Sequence, residues 1–255
     1  MKKIKLAWFY PQQLNLYGDR GNVEIIKRRC LWRDIDFSLV QVNKETKPEE
    51  YKDCNLIFMG GGPDSEQASI YDDLFTNKKR FIDNYYLKNG VGLFICGAFQ
   101  LLGQYYQLAD GTKIDGLNLF QFYTKSPSVK EKRLVGNVVG EISDTVLLKN
   151  TNDCYGFSSV IGFENHGGRT FFLKDYQPLL NISKGFGNNG KSKQEGLMSK
   201  NFICSYLHGP ILHLNFHLAD LLIAKAIGLN VFELKKLNDR LEIQVHKTNK
   251  NLFKS

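Results

Sequence analysis

The sequence predicts an α/β fold: a mainly parallel central sheet with helices on both faces, extended by extra strands in its second half. Three observations predict it. Between Ile4 and Gly103, short apolar runs alternate with segments of helical period. Glycine-rich or Asn-Gly breaks stand at the ends of those segments. Beyond that point strand-like runs follow one another with few helical patterns between them.

Taken in order, residues 4–10 form a buried strand and residues 14–22 a polar loop. Asn22 is placed as the cap of a helix running to about Arg33. Residues 37–42 and 56–59 are the next strands, the latter ending in Gly60-Gly61-Gly62-Pro63. A helix over residues 74–88 closes at Asn89-Gly90. A buried strand over 91–95 leads into a helix over 97–103. The strand-like runs of the second half are 117–123, 134–139, 145–148, 159–163 and 202–207. Residues 186–193, rich in Gly, Asn and Lys, are expected as an exposed loop. Leu214, Leu218, Leu221 and Leu222 share one helical face. Residues 1–235 are expected as one domain, with 236–255 a charged tail that packs loosely or reaches a partner.

Composition narrows the function. With 42% hydrophobic and 24% charged residues, the 255-residue chain is ordinary for a globular protein and long enough for a full core. Its formal charge of +8 is dispersed, without the aromatic interleaving of an RNA-binding surface, so no nucleic-acid partner is expected. Five cysteines without a CxxC pair argue against structural zinc and a secreted disulfide framework, and fit a reducing, cytoplasmic setting. No apolar stretch reaches membrane-spanning length.

The chemistry concentrates in three places. In Leu93-Phe94-Ile95-Cys96-Gly97-Ala98, an apolar strand ends at a cysteine and a helix begins after small residues. That is the turn that lifts a nucleophile above a sheet, and a helix start there favours the thiolate. On this segment alone, a nucleophile and a buried structural cysteine are both open. Tyr206-Leu207-His208-Gly209-Pro210 puts a histidine at another strand end, where α/β sheets gather their catalytic groups. A thiol beside an imidazole is the minimum for acyl transfer. His213, His217 and His246 lack such a context. The amides of the Gly60–Gly62 loop, Gly61 foremost, are candidates with that of Gly97 for an oxyanion site; a plain turn or a phosphate cradle are the other readings. A P-loop is absent, so no nucleotide site is expected in this chain.

Together these motifs resemble class I glutamine amidotransferases of the cobyric-acid-synthase-like (CobB/CobQ) branch. Within it, they resemble the GatD-type glutaminase subunits of lipid II isoglutaminyl synthases. The matching stretches are residues 14–22, Met59-Gly60-Gly61-Gly62-Pro63-Asp64-Ser65-Glu66-Gln67, Ile95-Cys96-Gly97, Gly162-Phe163-Glu164-Asn165-His166-Gly167-Gly168-Arg169-Thr170, and residues 206–210. They stand in family order across about residues 4 to 225. The resemblance implies the flavodoxin-like amidotransferase fold, with Cys96 attacking the side-chain amide of L-glutamine and His208 assisting. It implies that Arg133 binds the substrate glutamine, as a bidentate guanidinium suits a carboxylate. It also implies a heterodimer with a Mur-ligase-like (MurT-type) subunit, which carries ATP and Mg and meets lipid II; this chain itself needs no cofactor and no metal. The other readings are a glutaminase for a cobalamin-type synthetase, or an inactive scaffold.

Two departures from the wider class matter. Phe94 and Ala98 occupy the outer positions of the usual Gly-x-Cys-x-Gly, and Gly209-Pro210 follow His208 where His-x-Glu is usual. The acid that orients the imidazole must therefore come from elsewhere: Asp19, in the loop after the first strand, or a carboxylate of the partner. His166 is read as part of a loop that shapes the substrate pocket or the partner interface.

Overall fold

The computed structural model describes residues 2–128 and 131–254. Its core is a six-stranded sheet. Five strands are parallel: β1 (Lys3–Phe9), β2 (Asp36–Val42), β3 (Leu56–Met59), β4 (Val91–Ile95) and the strand Phe202–Ser205. Leu197–Ser199 adds an antiparallel edge. In chain order the parallel strands lie 2-1-3-4-5, so the order reverses between β1 and β3. Sheets of this order collect ligands at the carboxyl ends of the strands flanking that reversal. β3, β4 and Phe202–Ser205 are buried throughout, which accounts for their unbroken apolar sequence.

Helices cover both faces, as predicted. The helix α1 (Arg20–Leu31) packs on Phe216–Ala226. Lys79–Leu87 instead brings Phe81 against Phe9 and Tyr86 against Phe202. The buried Arg29 fixes the first pair by donating to Asp220 (2.7 Å) and to Asp239 (2.8 Å). Such a buried ionic cluster serves orientation more than net stability.

Two further sheets form the second half. One, five-stranded and antiparallel, runs Gln194–Glu195, Leu180–Lys184, Leu134–Ile142, Ser159–His166, Leu207–His208. The other joins Arg169–Phe172, Phe122–Lys125, Tyr105–Gln107 and Lys113–Asp115. The chain leaves the parallel sheet at Ser205 and, two residues on, pairs Leu207 with Glu164 and His208 with Phe163.

Several expectations need correction. Asn22 does not cap α1, which begins at Arg20; it is buried inside the helix and accepts from Leu212 N at 3.0 Å. Residues 145–148 are the first turn of a helix, Thr145–Tyr155, not a strand. Asp144 caps it by accepting from Leu147 N at 2.7 Å, and Gly156 (φ 75°) ends it. The helix placed at 74–88 begins earlier, at Asp64, and passes through a π turn at Leu74–Lys78; Asn89, with φ 59°, closes it. Strand structure within 117–123 is confined to the start of Phe122–Lys125. The loop at 186–193 is only partly exposed, because Gly187 and Asn188 are buried. The charged tail is largely a helix, Arg240–Lys254, packed on the antiparallel sheet rather than loose. His246 anchors it: buried, it bonds Ser159 Oγ (2.9 Å) and Leu214 O (2.7 Å) and stacks on Phe157.

Candidate active site

β4 delivers Cys96 into a backbone conformation that side chains rarely adopt, φ 50° and ψ −104°. Two hydrogen bonds hold it there: Cys96 N donates to Ser205 O (2.7 Å), and Cys96 O accepts from Gln100 N (3.0 Å). A strained, pinned turn of this kind aims a side chain away from the sheet edge. The turn is crowded. A Cβ on Gly97 would come within 2.7 Å of Gln67 Nε2, and one on Gly61 within 2.8 Å of His208 Cε1 and 3.1 Å of Cys96 Cβ. Gly61 leaves no space for a side chain, and its approach to both residues places His208 and Cys96 side by side; a side chain at Gly97 would have to displace Gln67.

His208 is buried. Its Nδ1 faces Asp19 Oδ1 at 3.4 Å, a long contact, and its Nε2 has no hydrogen-bond partner. Asp19 is fully buried, and its second oxygen accepts from Gly61 N at 2.7 Å. Burial opposes charge on the imidazole. The sulfur of Cys96 and the carboxylate of Asp19 outweigh it and raise the pKa to about 10. At neutral pH the ring is therefore an imidazolium beside the sulfur of Cys96. The ring of Tyr17 stands edge-on to His208, with centroids 4.9 Å apart.

The cleft above Cys96 measures about 620 Å³, with walls that include Tyr17, Gly62, Gln100, Arg133 and Asn165. Arg133 reaches it with Nε donating to Asn165 Oδ1 (2.9 Å) and Nη2 to Asn165 O (2.8 Å). A larger groove of about 1,020 Å³, between Thr145–Tyr155 and the segment before the last helix, contains none of these groups; volume alone does not mark the chemistry.

Cys96 and Arg133 both line this cleft, while His208 and Asp19 are buried beside Cys96 and Gly97 continues its turn. Gly61 lies beside Cys96 and His208 too, but the role read for it needs correcting. Its N–H is spent on Asp19, and its carbonyl accepts from Leu16 N at 3.0 Å, so it has no amide left for an oxyanion. Gly62, whose carbonyl accepts from Gln67 Nε2 at 3.0 Å, is the glycine of that loop on the cleft wall.

Of the supporting residues, Glu164, His166, Thr170 and Tyr206 fall within the matched motifs, whereas Gln100, Thr124 and Glu195 carried no sequence signal. Tyr206 donates or accepts in a buried chain with Thr170 (2.6 Å), Thr124 and Gln100, and His166 stacks on its ring at 3.8 Å. Glu164 accepts from Phe186 N and Gly187 N, folding the Gly-rich loop inward. Glu195 braces the crossing between the sheets, accepting from Tyr206 N (2.6 Å) and Ser205 Oγ (3.0 Å). Burial raises its carboxyl to about 8 despite those bonds, so it is largely protonated at neutral pH. Among the described residues no cluster of side chains suits a metal ion, and no helix is long and apolar enough to cross a membrane.

A pinned cysteine with an imidazolium beside it and a carboxylate behind the ring defines a site for thiol-based acyl transfer. Comparison with known proteins refines the class. The family model of the CobB/CobQ-like glutamine amidotransferase domain matches residues 5–216, and the chain belongs to that family. It is 38% identical over 247 residues to the "Lipid II isoglutaminyl synthase (glutamine-hydrolyzing) subunit GatD" of Staphylococcus aureus, covering 96% of this chain and 93% of that one. The GatD subunit of Streptococcus pneumoniae is also 38% identical, with 88% and 81% covered. A probable cobyric acid synthase of Methanococcus maripaludis is 28% identical, but the match spans only 34% of its length. In fold, the chain resembles the structure of PurLQS from Thermotoga maritima (TM-score 0.58, 15% identity, 98% and 99% covered). The fold and family make this chain a glutamine amidotransferase.

Proposed function

We propose that the chain is the glutamine-hydrolysing subunit of a lipid II isoglutaminyl synthase, working in the cytoplasm as a heterodimer with an ATP- and Mg-dependent, Mur-ligase-like (MurT-type) subunit. The observation that carries the reading is the buried Cys96–His208–Asp19 constellation in a chain 38% identical to GatD over nearly its whole length. Arg133 binds the α-carboxylate of L-glutamine and so orients the side-chain amide over Cys96. The thiolate attacks the amide carbon, and the backbone amides of Gly97 and Gly62 take the developing oxyanion. His208 gives its proton to the departing ammonia, leaving a glutamyl thioester. The now neutral imidazole draws a proton from water, which releases glutamate and restores the thiolate. Asp19 holds the ring through Nδ1 throughout. The ammonia amidates the α-carboxylate of D-glutamate in the lipid II stem peptide, activated by the partner, to give D-isoglutamine.

The GatD reading is favoured over the cobyric acid synthase alternative because the GatD match is 38% identical over 93% of that chain, against 28% and 29% identity over 34% and 40% of the synthases. The test is Cys96→Ala in the two-subunit enzyme. Glutamine-dependent amidation of lipid II should vanish while ammonium chloride still supports it. Glutamine-dependent product from that variant would end the proposal.

A further inference from the structure

The block Asn165-His166-Gly167-Gly168-Arg169 lies between nucleophile and base in the chain and takes no part in the steps above. Its hydrogen bonds nevertheless meet at Arg133. Asn165 accepts from Arg133 twice, through Oδ1 at 2.9 Å and through its own backbone carbonyl at 2.8 Å. The other end of the same side chain, Nδ2, donates to Tyr17 Oη at 2.7 Å. Arg169 straps the neighbouring backbone, donating to Lys132 O at 2.6 Å and to Gly167 O. Gly167 lies beside Arg133 Nη1, where a Cβ would stand 3.4 Å from that nitrogen, in ordinary contact. Tyr17 sits in the left-handed region, φ 54°, with its ring against His208.

We infer that Asn165 is a positioning residue: it spends Nε and one Nη2 proton of Arg133 so that Nη1 is presented to the α-carboxylate of glutamine, and through Tyr17 it ties that grip to the cover over His208. The inference rests on the reading of Arg133 as the carboxylate's partner. The physical ground is that a guanidinium on a flexible stem loses rotamer freedom when it binds; a cradle that holds it beforehand removes that cost. One amide side chain serves both groups, since Oδ1 accepts from the arginine while Nδ2 donates to the tyrosine.

The experiment separates substrate grip from fold and from chemistry. In the full chain co-purified with its synthetase subunit, Asn165→Ala should raise KM for glutamine about tenfold and leave kcat within about twofold, the scale of one lost bond to a charged group. Iodoacetamide has no α-carboxylate, so its rate with Cys96 should stay unchanged in Asn165→Ala. The glutamine concentration that protects Cys96 from it should rise about tenfold, in step with KM. Asn165→Asp keeps an acceptor for Arg133 and can accept from the tyrosine hydroxyl, so it should restore KM. Tyr17→Phe cuts only the tether and should raise KM about threefold, the scale of a weak neutral hydrogen bond; it keeps the test open if Asn165→Ala does not fold. Unchanged KM in Asn165→Ala or Tyr17→Phe, or a fall in kcat and iodoacetamide reactivity together, would overturn the inference. Glutamine hydrolysis surviving in Cys96→Ala would instead overturn the reading beneath it.

Discussion

The two large sheets make different contributions to one cleft. The parallel sheet supplies groups from loops at its carboxyl edge: Asp19 after β1, Gly61 and Gly62 after β3, Cys96 after β4. The antiparallel sheet supplies groups by register: His208 paired to Phe163, Asn165 opposite Val135, and Arg133 just ahead of that strand. The first mode is local, since strand, turn and helix are contiguous in the chain. The second depends on pairings between residues tens of positions apart. Cys96 thus belongs to one sheet, while His208 and Arg133, its proposed base and substrate anchor, are set by the other.

Substitutions at four positions test that division, beginning with the largest effect. Cys96→Ser keeps the turn and replaces the sulfur with a hydroxyl that is hardly ionised beside His208; glutamine hydrolysis should fall by about a thousandfold or more in a steady-state assay, with the fold intact by circular dichroism. Asp19→Asn removes a charge from behind the imidazole. Hydrolysis should drop about a hundredfold, within the range for general acid–base catalysis. The His208 midpoint, followed by NMR, should fall from about 10 toward its ordinary value. The sign of the stability effect follows. A folded-state pKa of about 10 above an ordinary 6.5 gives stabilisation that is complete below 6.5 and lost as pH rises through 10. Asp19→Asn should shrink that loss, as read from urea midpoints at pH 6 and 10.5.

Glu195→Gln probes the brace between the sheets. The raised carboxyl, about 8 against an ordinary 4.5, stabilises fully below 4.5, and this is lost as pH rises through 8. The Gln variant should therefore be flatter in stability between pH 5 and 9; a curve parallel to the parent's would sink this account. Glu195→Ala leaves Tyr206 N and Ser205 Oγ without their acceptor and should cost about 2 kcal/mol at pH 6. The smallest effect is His246→Ala, in the helix packed on the inner strands Leu134–Ile142 and Ser159–His166 of the antiparallel sheet. It should lower thermal stability by a few degrees and leave KM and kcat unchanged, because the ring bonds only Ser159 and Leu214.

The same division explains what could be read from the sequence. The buried strands β1, β3 and β4 announce themselves as apolar runs, and Cys96 stands out because strand, turn and helix are adjacent in the chain. His208 is read from its place at a strand end, Arg133 from the resemblance, and Asp19 from its loop after the first strand, although nothing local shows that Asp19 points at the imidazole. The misplaced Gly61 amide has the same origin: a triple glycine indicates a tight approach, but not that Asp19 already occupies one of its N–H groups. Residues 145–148 looked like a strand because Thr and Val favour one, and the Asp144 cap overrode that preference. Asn22 looked like a cap because Asn often is one; tertiary demand for its amide at Leu212 decided otherwise. Tyr17 and Asn165 fall within matched motifs, but the motifs do not show that they bond each other and Arg133; Glu195 lies outside every motif and acts through partners its own segment does not reveal.

At Tyr206 the chain crosses from the parallel sheet to the antiparallel one. The reactive pair straddles a seam: sulfur on one layer, ring on the next, joined by a three-residue stitch that Glu195 pins. Any slip of one layer over the other changes the gap between them, so a protein gripping the outer layer holds a lever on the nucleophile without touching either reacting atom.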